Sequence, residues 1–242
     1  MDPQLESAVD FVYRYCSKFP GEIPTFTDKL TLALVKDFAR VPEDKKEIFL
    51  EWVRAQYEGL IEQLKPLRNE PDIEVRMKEY MEALDDWIEK YKHKDTMCRK
   101  GCFGCCMQKV SAAELETEVI AKRIAEGKVS VSMDTLIKQA AVGDYDAGEY
   151  QTRLGKQNAV CVFLSNGECS IYDIRPIMCR TYHVVSDPEH CDPFDYPDYT
   201  VSVANNMNVE FLVSAIFHEI GAEGNLQQQV LRNLQKVGFP GA

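Results

Sequence analysis

A chain of 242 residues, 45 % of them hydrophobic, holds one large domain or two small ones and buries a sizeable core without staples. Its formal net charge of −11 repels phosphate backbones and anionic membrane surfaces, so neither nucleic acid nor membrane is an expected partner. No stretch approaches the ~18 apolar residues that cross a bilayer, and Asp2, Glu6 and Asp10 stand where a secretory signal would be apolar, so the expected location is the cytoplasm, where thiols stay reduced.

Leu5, Ala8, Val9, Val12 and Cys16 recur at helical spacing, which puts Cys16 on the apolar face of a first helix as a core thiol. A second helix is expected over 28–40, after a connection holding Pro20, Gly21 and Pro24. A long third begins near Pro42 and carries Ile48, Trp52, Leu60, Ile61 and Leu64 on one side, and Pro66 and Pro71 bracket the break after it. A fourth carries Ile73, Met77, Tyr80, Met81, Leu84, Trp87, Ile88 and Tyr91, a stripe that reads as a buried face. The character changes at Cys98. Past a tight cysteine loop, Ser111 with Glu114 reads as a capping box opening another helix that Gly127 stops. Two shorter helical stretches precede Gly155; then Val160–Leu164 alternates as a strand, Asn166-Gly167 is a hairpin turn, and 169–172 is the return strand. A Pro/Asp-rich loop over 187–199 leads to two closing helices over 206–220 and 225–237. The expected architecture is mainly α, a helical scaffold around an irregular cysteine-rich metal-binding core with one small β-hairpin. Its expected parts are a helical region over 1–94, a cysteine-cluster domain over 95–200, and helices over 201–242 packing on the rest.

Eight of the nine cysteines fall between residues 98 and 191. Cys98, Cys102, Cys105 and Cys106 form C-x3-C-x2-C-C, and Cys161, Cys169, Cys179 and Cys191 follow. Short spacing lets one turn aim several thiolates at a point. Gly101 and Gly104, each just before a cysteine, are expected to take positive φ and turn N–H groups towards sulfur. Arg99, Lys100 and Lys109 offset thiolate charge. Metal ligation is the expected role of all eight, against disulfides or inert thiols. Side chains of adjacent cysteines diverge, so the expected grouping is Cys98, Cys102 and Cys105 with Cys179, and Cys106 with Cys161, Cys169 and Cys191. The same C-x3-C-x2-C spacing occurs in radical S-adenosylmethionine enzymes, but there it follows the first strand of a βα barrel. Here a charged helix precedes it and no βα repeat follows.

With Cys161-Val-Phe-Leu164, Asn166-Gly-Glu-Cys-Ser-Ile-Tyr172 and Arg175-Pro-Ile-Met-Cys-Arg180, the cysteine pattern resembles the CxxCxxCC family of zinc- or iron-chelating domains, the YkgJ-type cysteine cluster proteins. The resemblance spans roughly 95–195 and implies chelation by these cysteines, with zinc and iron both open. A similar motif in flagellin lysine N-methylases implies iron–sulfur content and protein modification as one role.

Around the cluster, Arg175 and Arg180 read either as counter-charges to sulfur or as pins of their loop. His183 and His190 read as packing groups more than ligands, and Tyr172 and Tyr182 as core. Two functions stand open. One is an iron or iron–sulfur protein with redox or protein-modification chemistry, acting on a protein substrate or partner. The other is a non-enzymatic zinc module that stabilises an interaction surface. Eight thiols exceed the quartet of a closed structural zinc site, which favours iron.

Overall fold

The computed structural model describes residues 34, 37–99, 101–142, 147–204, 206–221 and 223–242. The first expected helix, Cys16 and most of the second lie outside them. Eight α-helices and two two-stranded sheets make up the regular structure of the described residues, in agreement with a mainly α fold carrying a small hairpin. None of these helices is long and apolar enough to cross a membrane. The chain divides into two compact units, the described parts of Met1–His93 with Asn205–Ala222, and those of Lys94–Ala204 with Glu223–Ala242.

In the first unit, α1 (Lys46–Leu64) and α2 (Ile73–Tyr91) both pack on a later helix, Met207–Ile220. The stripe read on α2 is the buried one: Met77, Tyr80, Met81, Leu84 and Ile88 face inward, and Asp72 caps the helix by accepting from the Glu74 N–H at 2.8 Å. On α1 the face is rotated from expectation. Leu50, Val53 and Tyr57 are buried with Leu60, Ile61 and Leu64, while Ile48 is 66 % exposed. A stripe drawn through Ile48 and Trp52 misses Tyr57, whose hydroxyl pairs with Ser214 at 3.0 Å. The Met207–Ile220 helix is buried along most of its length, as its nearly continuous apolar sequence requires. Full burial of a side chain such as Leu84 or Phe211 stabilises by roughly 1.5–3 kcal/mol.

In the second unit, β1 (Ser111–Ala113) leads into α3 (Glu114–Ala125), followed by α4 (Met133–Ala141) and α5 (Ala147–Ala159). Gly155, at φ 66°, breaks α5. A hairpin of β2 (Leu164–Ser165) and β3 (Glu168–Cys169), the short α6 (Ile177–Thr181), then β4 (Glu223–Asn225) and α8 (Leu226–Lys236) complete it; the Met207–Ile220 helix of the first unit is α7. The turn is as read, with Asn166 at φ 51° and Gly167 at φ 79°. The strands are shorter than expected, because at 2.7 Å the Cys161 N–H goes to the Cys106 carbonyl and not to a ladder. Ser111 is no helix cap. It pairs with Asn225 in an antiparallel β1–β4 ladder, and the helix starts at Glu114. α8 packs on both α3 and α4, burying Val119, Ile120, Leu136, Val230 and Leu234.

Candidate metal centre

All eight expected cysteines lie in the second unit as free thiols, seven half-buried and Cys191 3 % exposed. The loop from 97 to 107 is built by its backbone. Met97 N–H donates to Val184 O at 2.8 Å, and Val184 N–H donates back to the Cys98 sulfur at 3.2 Å. Gly101, at φ 86°, turns the chain so that Cys102 N–H reaches Arg99 O. Gly104–Met107 is one 3-10 turn carrying Cys105 and Cys106. Gly104 is needed for a different reason from the one expected. It is absent from the positive-φ residues, but a Cβ there would stand 2.9 Å from that of Cys191. Its missing side chain admits Cys191, which closes the Pro188–Cys191 turn, and Gln108 holds the Cys191 carbonyl at 3.3 Å.

The second set of thiols is brought up from α5, the hairpin and α6. Gln139, fully buried, donates to Asn158 O at 2.7 Å and Val160 O at 2.6 Å and so fixes the approach to Cys161. Cys169 pairs with Leu164 across the hairpin. Cys179 rides on α6, whose first N–H, that of Ile177, is accepted by Glu116 Oε1 at 2.6 Å. The other oxygen of Glu116 accepts the Ala113 N–H at 2.6 Å. One buried carboxylate thus ties the starts of α3 and α6 together.

Electrostatics group the thiols. Burial raises Cys98, and the Cys105 and Cys102 charges add to it. Cys191 is pushed up to about 12 by burial and then by Cys105, Cys102 and Cys98. Burial also takes Cys161 to about 12, with Cys169 and Cys105 adding, and holds Cys179 well above the thiol range, with Cys161, Cys105 and Cys169 adding. Cys105 stands between the two sets. The Cys106 thiol donates to it and draws it down to about 7, while the shared proton drives Cys106 up. The neighbourhoods are therefore Cys98, Cys102 and Cys191 on one side and Cys106, Cys161, Cys169 and Cys179 on the other, with Cys105 acting on both. The Gly104 gap, which admits Cys191 beside the first loop, and the Glu116 tether, which holds the α6 that carries Cys179, are not visible as spacings in the sequence.

The two arginines have different roles. Arg180, 5 % exposed, donates to the carbonyls of Arg175 at 3.1 Å and Asp173 at 2.5 Å and pins the loop. Arg175 lies 4.4 Å over the Tyr172 ring, and its charge lowers Cys98, Cys105 and Cys169. Its Nε is buried with no hydrogen-bond partner. His190 packs between the rings of Tyr196 and Tyr199, at 4.6 and 4.1 Å, as a packing group does. The Tyr182 carbonyl faces the Cys98 sulfur at 3.5 Å, and the His183 carbonyl accepts from Ala204. A cleft of about 450 Å³ reaches Cys102, walled by Arg99, Phe103, Glu189, Asp192 and Tyr196.

No three Cys, His, Asp or Glu side chains among the described residues already stand in coordination geometry. The donor set nevertheless fits a thiophilic metal. Clustered buried thiols that resist ionising one beside another, and an arginine nitrogen without an acceptor, are conflicts that a metal–thiolate centre resolves.

Glu116 carries a pH signature. Burial raises its carboxyl from 4.5 to about 7 against the pull of its two backbone N–H donors. Between these values the folded chain holds a proton that the unfolded chain has lost. Stability from this group is therefore lost as pH rises through the window, by about 3 kcal/mol in all. Glu116→Gln should remove that slope. It also leaves one of the two N–H groups facing an amide donor, at a cost of about 1–3 kcal/mol. Urea titrations of both proteins across the window check this, and equal slopes would contradict it.

Residues 97–200 match the model of the CxxCxxCC family, described as "putative zinc- or iron-chelating domain". The matched stretch contains all eight of these cysteines. No curated protein and no solved structure matches the chain.

Proposed function

We propose that the eight thiols chelate iron, as an iron–sulfur centre, and that this centre carries redox or protein-modification chemistry reached through the cleft at Cys102. One observation carries the reading. Cys191 packs against Gly104 and the Cys161 N–H donates to the Cys106 carbonyl at 2.7 Å, so later cysteines from separate segments meet the 98–106 loop, which supports a donor set larger than the quartet a closed zinc site uses. Cys98, Cys102, Cys105, Cys106, Cys161, Cys169, Cys179 and Cys191 would hold the metal, and Arg175 would offset its negative charge. When bound, such a centre supplies one-electron transfer at a potential set by net charge, hydrogen bonds to sulfur and exposure. Phe103 and Tyr196, 43 % and 37 % exposed, give the cleft an aromatic wall for a partner, with a protein segment as its natural occupant. The cytoplasm, where such thiols stay reduced, is the fitting compartment.

A zinc module without catalysis is favoured by a single feature, the backbone N–H of Val184 aimed at the Cys98 sulfur, which suits a closed thiolate site equally well. Purification without oxygen, followed by elemental analysis and acid-labile sulfide determination, separates the two. Brown protein with iron and sulfide is the expected result. Colourless protein with stoichiometric zinc overturns the iron reading.

A further inference from the structure

Glu116, the third residue of α3, is fully buried. Its Oε2 accepts the Ala113 N–H at 2.6 Å, as a glutamate does in half of a capping box. Such a glutamate ordinarily keeps its other oxygen in water, because desolvating a carboxylate costs more than one cap returns. Capping of α3 alone therefore leaves this burial unexplained.

The other oxygen, Oε1, accepts the Ile177 N–H, the first of α6, at 2.6 Å. α6 is five residues long, too short to hold itself, and Pro176 before it gives no side-chain cap. A second bond from α3 reaches the same segment. Arg123, in the last turn of α3, donates to the Asp173 carboxylate at 2.6 Å, and the Asp173 carbonyl accepts from Arg180 of α6. α6 thus hangs from both ends of α3, and Cys179 is its middle residue. α3 itself is held by packing on α8, with Val119 and Ile120 buried.

We propose that Glu116 is a positioning residue of the metal centre, its carboxylate holding α6 so that the Cys179 sulfur is presented to the metal. The inference rests on the reading of Cys179 as a ligand. Glu116 touches neither metal nor substrate and acts through α6.

A double-mutant cycle tests it, with wild type, Glu116→Gln, Cys179→Ser and the double variant as full chains. Zinc(II) affinity is measured against a competing chelator, cobalt(II) loading gives the sulfur-to-cobalt charge-transfer intensity, and thermal unfolding of the metal-free chains gives stability. Val230→Ala, which cuts into the packing of α8, is the control for lost stability alone. Glu116→Gln should bind zinc about 10–100-fold more weakly, and its charge-transfer intensity per cobalt should fall towards that of Cys179→Ser. In the Cys179→Ser background the same substitution should cost about 2-fold at most. Glu116→Asp, which keeps the charge but shortens the reach, should show the same pattern. Full additivity in the cycle, or an equal affinity loss in Val230→Ala, overturns the inference and leaves the ligand reading intact, since the carboxylate would then serve the fold alone. Unchanged affinity in Glu116→Gln overturns it likewise. Cys179→Ser binding zinc as tightly as wild type, or wild type binding none, overturns the ligand reading itself and the inference with it.

Discussion

Cys105→Ser is expected to lose essentially all bound metal, the largest effect of any single cysteine. Cys105 lies in the Gly104–Met107 turn, against which Cys191 packs and whose Cys106 carbonyl accepts the Cys161 N–H, so it stands where the later cysteines meet the loop. Replacing outer residues that merely orient ligands costs about 10–100-fold in affinity, and removing a shared thiolate must exceed that. Cys98→Ser and Cys102→Ser should also release metal, each acting from one set. Cys16→Ser is the control, as the cysteine outside the cluster. Metal per chain, measured against a competing chelator, decides the matter. Cys105→Ser holding as much metal as Cys16→Ser would refute the role given to the cluster.

Removing the metal should loosen the second unit locally. The cysteine segments at 98–110 and 160–191 contain few ladder bonds, and no ready coordination geometry stands among the described residues, so metal binding is expected to supply much of their order. The sequence alone suggests that all of 95–200 depends on metal. The structure narrows that expectation, because α3 and α4 pack on α8 through side chains such as Val119, Ile120, Leu136 and Val230, which need no metal. Hydrogen exchange with and without metal is therefore expected to show protection lost by at least ~10-fold (about 1.4 kcal/mol) in the cysteine loop and the Asn166–Gly167 hairpin. Protection should be retained in α1, α2, α3 and α8. Unchanged protection in the loop and hairpin would mean that ordinary packing orders them, leaving the metal a chemical role only.

Local signals carried well from sequence to structure. The stripe on α2 and the Asn166-Gly167 turn are set by neighbours within a few residues, and both appear as read. What escaped is long-range. Ser111 looks like a helix cap until β4, over a hundred residues on, claims its backbone. Glu116 carries no signal of its own in the sequence, yet both its oxygens cap buried backbone. Gly104 looks like a conformational glycine but is a steric one, set by Cys191. Spacing says which thiols lie on one turn, and only tethers such as Glu116 say which distant turn comes beside it.

The claim on which the rest depends is that these cysteines hold a metal. X-ray absorption at the metal edge of anaerobically purified full-length protein tests it directly. A first shell of sulfur at about 2.3 Å, lost on Cys105→Ser, is the predicted result. A first shell of nitrogen and oxygen, or protein purified without metal and with all eight thiols free, would contradict it.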